Sequence, residues 1–76
     1  MMALPSGRFE AVEVELTPKN RARRERILSG YARARHIEAV TYHVATPAIA
    51  ALVARTAASV GISDLVHIRA VAEQAA

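Results

Sequence analysis

Glu13 and Glu15 stand two residues apart in the run Val12-Glu13-Val14-Glu15-Leu16-Thr17-Pro18-Lys19, and Lys19 follows four residues after the second acid. In a strand over residues 9–16 the side chains alternate between faces. Val12, Val14 and Leu16 then point one way, and Ala11, Glu13 and Glu15 the other. Two carboxylates side by side on a strand face repel unless something cationic compensates them. A metal ion in that role makes the pair an oxygen site for Mg²⁺, with Glu13 and Glu15 as ligands. Such a metal lowers the pKa of a bound water and stabilises charge on a phosphate, while Lys19 positions the water or neutralises the phosphoryl oxygens. A lysine or arginine cluster instead makes the pair a salt-bridged scaffold. Open solvent makes it nothing at all.

Other side chains with chemical potential are fewer. His43 and His67 fall on predicted strands, where half-buried histidines are more often hydrogen-bonded core residues than ligands. No His pair has the helical spacing of a zinc site, and no Gly-rich phosphate loop is present. No serine sits at a sharp strand–helix turn, so a nucleophilic triad is not supported. The chain has no cysteine, hence no disulfide and no thiolate metal site.

The elements that must position these residues follow from periodicity. Residues 1–8 read as an irregular lead-in with Pro5, Ser6 and Gly7 as turn formers. After the strand at 9–16, Thr17 as N-cap and Pro18 at the first helical position start a helix running to about Arg35. Its apolar stripe is Ile27, Leu28 and Tyr31, with Arg23, Arg26 and Arg33 opposite. Residues 37–44 form a second strand, with Val40, Tyr42 and Val44 on one face and Ala39, Thr41 and His43 on the other. Thr46-Pro47 repeats the helix-start signal, and the second helix spans 47–60 and stops at Gly61. That helix is mostly alanine outside its stripe, which fits either a covered second face or a mild exposed one. Residues 65–71 form a third strand, and 72–76 a frayed tail.

The resulting order, β-α-β-α-β over residues 9–71, predicts a small α/β domain with a three-stranded, mainly parallel sheet and two helices. Ligands of such sheets bind beyond the carboxyl ends of the strands. Glu15 lies near that end of the first strand, with Lys19 just after it. Arg24 is in line with Leu28 and Tyr31, on the sheet-facing side, within reach of Glu15 or a bound phosphate. With adjacent strands, Glu15, Lys19, Arg24 and His43 are expected to converge on one edge.

Charge adds a partner. The 76 residues carry ten Lys or Arg against seven Asp or Glu, a net charge of +3. Eight of the ten basic residues precede residue 36. A basic face of this kind attracts phosphate backbones, and Arg21, Arg23, Arg24, Arg26 and Arg33 are its candidate DNA contacts. No apolar run approaches membrane-spanning length and no signal pattern opens the chain, so a cytoplasmic protein without a membrane partner is expected. A core this small also predicts a homo-oligomer or a missing neighbouring domain.

The string AVEVELTPK, the Arg-rich helix ending YARAR and the apolar strand after it resemble the C-terminal region of replication-relaxation family proteins, found on actinobacterial plasmids, integrative elements and phages. The resemblance covers roughly residues 9–70. It implies a region related to the PD-(D/E)xK nuclease fold, alongside a DNA-binding winged helix elsewhere in such proteins. Glu13 matches the acid of the second motif strand, and Glu15 stands where lysine is usual. The family's earlier acid-bearing strand does not fit in the residues before Phe9, so the resemblance implies the second half of a nuclease-like domain. The leading expectation is a DNA-associated module of a mobile-element replication or mobilisation protein, nuclease-like and catalytically inactive. A ligand-free oligomerisation or protein-interaction domain and a Mg²⁺-dependent endonuclease, with Glu13, Glu15 and Lys19 as its catalytic residues, are the alternatives.

Overall fold

A computed structural model describes residues 1–71; the tail expected at 72–76 lies outside the described residues. The chain folds as β1 (Met2–Ala3), β2 (Phe9–Glu15), α1 (Arg21–Arg33), β3 (Ile37–Val44), α2 (Pro47–Ser59) and β4 (Val66–Ala70). The strands form one sheet in the order β1-β2-β3-β4. The pairs β2/β3 and β3/β4 are parallel, and β1 is antiparallel to β2. The expected α/β domain with two helices is present, but its sheet is mixed and has four strands rather than three. The extra strand comes from the supposed lead-in. Gly7, at φ +85°, donates its N–H to the Leu4 carbonyl (2.9 Å), and the Leu4 N–H reaches the Arg8 carbonyl (2.8 Å). This tight turn returns Met2–Ala3 along β2.

Two successive crossovers of one hand, moving the same way across the sheet, place both helices on the same face. Leu28 of α1 and Ile49, Val53 and Ala57 of α2 pack there on Ala11, Val40, Tyr42 and Val44. Among the described residues, no helix covers the opposite face. Strand register fixes which residues occupy each side. The rows Ala11–Val40–Val66, Glu13–Tyr42–Ile68 and Glu15–Val44–Ala70 lie under the helices. The rows Val12–Thr41–His67 and Val14–His43–Arg69 lie on the open face.

The helix boundaries show which local signals prevail. Thr46 caps α2, its hydroxyl accepting from the Ile49 N–H at 3.2 Å, with Pro47 at the first position. At the other end Gly61 takes φ +80°, and the Ile62 and Gly61 N–H groups bond the Ala57 and Ala58 carbonyls (2.9 and 3.1 Å). This is a Schellman ending, closed by burial of Ile62. In contrast, Thr17-Pro18 does not start α1. Asn20 is the cap, its side chain accepting from the Arg23 N–H at 2.8 Å. The helix also stops at Arg33 rather than Arg35.

Candidate functional site

Glu15 ends β2 on the helix-covered face, beside Val44 of β3, and its side chain is fully buried. An unpaired carboxylate there would be prohibitively costly, and the chain around it is built to prevent that. Arg24 Nη2 donates to Oε2 at 2.8 Å and Nε to Oε1 at 3.4 Å. The Lys19 N–H donates to Oε2 at 3.2 Å, and the Lys19 ammonium stands 3.9 Å from Oε1. Arg24 also donates to the Lys19 carbonyl (2.8 Å), while Lys19 Nζ donates to the Val14 carbonyl (3.3 Å). The loop after β2 is thereby folded back onto the acid, which occupies the backbone at Lys19 and leaves Asn20 as the first residue able to cap a helix. Burial alone raises the Glu15 pKa. The Arg24 hydrogen bonds, the Lys19 amide and both positive charges outweigh it, leaving the pKa below the usual carboxylate value.

Glu13 lies one row away under the same layer and is half-buried. It accepts a hydrogen bond from the Tyr31 hydroxyl on α1. Burial, then this bond to an anion, push the Tyr31 pKa up to about 12. Tyr42, the neighbour of Glu13 on β3, is fully buried, and its hydroxyl has no hydrogen-bond partner among the described residues. Burial first, then the negative charges of Glu13 and Glu15, raise its pKa further still.

The two acids therefore share a face, as alternation requires, but each is committed to a different partner. Glu15, Lys19 and Arg24 do meet at one edge. His43 does not join them: its register partner is Val14, so it sits on the opposite face of the sheet. His67 occupies that open face as well. No group of three or more His, Cys, Asp or Glu suited to a metal exists among the described residues. For Glu15 to ligate Mg²⁺, Arg24 would have to leave it, and the guanidinium would lose its partner inside the protein. In this arrangement the pair's chemistry is that of a structural salt bridge.

The candidate DNA contacts divide in the same way. Arg24 is buried with Glu15 and is closed to an external phosphate. Arg21 is exposed and paired with Glu25 at 2.8 Å, one helical turn on. Arg23, Arg26 and Arg33 are exposed. Helical spacing puts these three and Gly30 in one narrow sector opposite the buried Leu28. Arg35, which was not among the candidates, is exposed two residues past the helix. Tyr31, expected in the apolar stripe of the helix, is also the partner of Glu13. The signal was available, since Tyr31 lies seven residues after Arg24 on the same helical face.

The fold and site define a two-layer α/β domain with a parallel β-α-β-α-β core, an internally neutralised acid and a basic outer helix. Set against protein-family models, curated proteins and solved structures, the chain matches none of them.

Proposed function

We propose that this chain is a nucleic-acid-associated module, catalytically inactive, in which Arg23, Arg26 and Arg33 contact the phosphate backbone of DNA. One observation supports the reading above others. Three exposed guanidinium groups, with no acid paired to them among the described residues, line one sector of a thirteen-residue helix, while Glu15 is buried, Glu13 is half-buried and Glu25, the one acid on this helix, is paired with Arg21. The sector is about 15 Å long, some four base-pair steps along a duplex. Contacts of this kind position a protein on nucleic acid without reading bases. The resemblance of residues 9–70 to a mobile-element replication family agrees with such a partner. It also supports descent from a nuclease-like domain whose acids have become structural.

The test is fluorescence anisotropy of a labelled duplex across a salt series. Three phosphate contacts give log K a slope of about −3 against log salt. Replacing Arg23, Arg26 and Arg33 together by Gln should abolish binding at moderate salt. Arg21→Gln, which removes an arginine already paired, should weaken it far less. Absence of binding at low salt would end this reading.

A further inference from the structure

The helix-free face of the sheet carries the molecule's clearest unmet physical demand. Parallel strands such as β2, β3 and β4 are usually covered on both faces, and the described residues cover only one. On the open side Val12, Val14 and Leu16 are 42%, 53% and 56% exposed. Met2, placed by its pairing with Glu10 on the same side, is 55% exposed. Val12 and Val14 form an apolar stripe on β2, extended by Leu16 directly after the strand and flanked by Met2 beside Glu10 at the β1 edge.

We infer that this face is the interface of a homodimer, in which a second copy of the chain packs sheet against sheet about a two-fold axis passing near Val14. Three features select a second copy. The first is self-complementarity: the axis sets the stripe Met2, Val12, Val14 and Leu16 on its own mate, the geometry of an isologous contact. The second is charge. Each copy carries +3, and the unpaired arginines of α1 occupy the far side of the molecule. The register rows of the open face hold one acid, Glu10, and one arginine, Arg69. Two such chains can join here without apposing their basic helices, which end on the outside of a helix–sheet–sheet–helix sandwich. The third is area. The molecule is a slab of 32 × 30 × 17 Å, so its broad face is on the order of 900 Å², against roughly 800 Å² per partner in a stable interface.

The contact does not rest on nucleic-acid binding and is tested apart from it. Sedimentation velocity over a micromolar concentration series should show a dimer that persists at high salt, because its core is apolar. Val14→Glu places a charge on the axis of a residue already half in solvent. It should raise the dimer dissociation constant at least a hundredfold with unchanged circular dichroism. The chain has no cysteine, so single-cysteine variants give a second readout that does not depend on that substitution folding. Val14→Cys should form an intermolecular disulfide on mild oxidation, whereas Ala58→Cys, exposed on α2, should not. A monomer at every concentration would overturn the inference and leave the face to a different protein. A dimer unaffected by Val14→Glu, or equal cross-linking at positions 14 and 58, would overturn it too.

Discussion

Arg24 and Glu15, nine residues apart in sequence, meet inside the protein with Nη2 2.8 Å from Oε2 and both side chains almost wholly shielded from water. The pair explains several features together. It permits an acid on the core face of a strand, ties down the loop between β2 and α1, and removes from the surface both a carboxylate and an arginine that sequence reasoning assigned to ligand binding.

Breaking such a pair from one side strands a charge. Glu15→Gln should cost about 3 kcal/mol, a large share of the stability of a domain this small. Replacing both partners by Leu should recover most of the loss, since two apolar groups leave nothing to neutralise. Urea denaturation followed by circular dichroism measures both. A double variant no more stable than Glu15→Gln would show that the ion pair has a role beyond mutual neutralisation.

The same pair sets an acid limb. Glu15 binds its proton less tightly folded than unfolded, where its value is near 4.5. Its contribution is complete above that value and is lost as pH falls through the lower folded pKa. Stability should therefore decline below about pH 4.5 in the native chain. In Glu15→Gln, compared by melting temperature across pH, this limb should be shallower.

Both tyrosines of the chain sit in the same polar layer, and they predict opposite mutational outcomes. Tyr31 donates to Glu13, so Tyr31→Phe should destabilise by about 1 kcal/mol. Tyr42 has no partner for its buried hydroxyl among the described residues, so Tyr42→Phe should be neutral or slightly stabilising. Alkaline titration gives a second measure. The Tyr31 pKa is raised from 10 to about 12, so its contribution is full below pH 10 and disappears as pH rises through 12. The folded chain should show little tyrosinate absorbance at pH 11, where the urea-unfolded chain is mostly ionised.

Much of this was legible in the sequence. Residues 40–44 alternate cleanly, after a register irregularity at the start of β3 that puts both Ile37 and Val40 in the core, and α2 carries matching signals at its two ends, Thr46-Pro47 and Gly61, so those elements fall where local chemistry puts them. Helical spacing puts Arg24 within reach of either Glu15 or a bound phosphate, and the folded chain pairs it with Glu15. What escaped was tertiary. A two-residue β1 has no periodicity of its own and exists only by pairing with β2. Hydrophobicity alone would bury Val12 and Val14, yet the acid-bearing face is inside because Arg24 and Tyr31 reach down from α1 to satisfy it. His43 was grouped with Glu15 from proximity along the strands; register, off by a single residue, places it on the other side of the sheet.

The start of α1 offers a direct check on local against tertiary preference. Thr17-Pro18 has the better local helix-start chemistry, but Asn20 makes the capping bond. Asn20→Ala should cost about 1 kcal/mol and Thr17→Ala almost nothing. Thr46→Ala, at a cap where sequence and structure agree, should match the Asn20 loss. Chemical denaturation of the three variants ranks them, and a loss at Thr17 equal to that at Asn20 would contradict the observed boundary.

Metal dependence separates a remnant from a working nuclease. A site with two free carboxylates gains a stabilising ligand in Mg²⁺, and the melting temperature then climbs with metal concentration by mass action. Here Glu15 is neutralised by Arg24 and Lys19, and Glu13 accepts from Tyr31. Millimolar Mg²⁺ or Mn²⁺ should leave the melting temperature within about 1 °C of the metal-free value and should not produce cleavage of plasmid or oligonucleotide DNA. The decisive variant is Arg24→Ala, which frees the Glu15 carboxylate. If the acids retain a latent metal site, this variant alone should be stabilised by Mg²⁺, and Arg24 is then the group that keeps the site closed. If neither protein responds, the acids serve the fold only. A metal-dependent cleavage by the native chain that Glu13→Gln abolishes would overturn the inactive reading altogether.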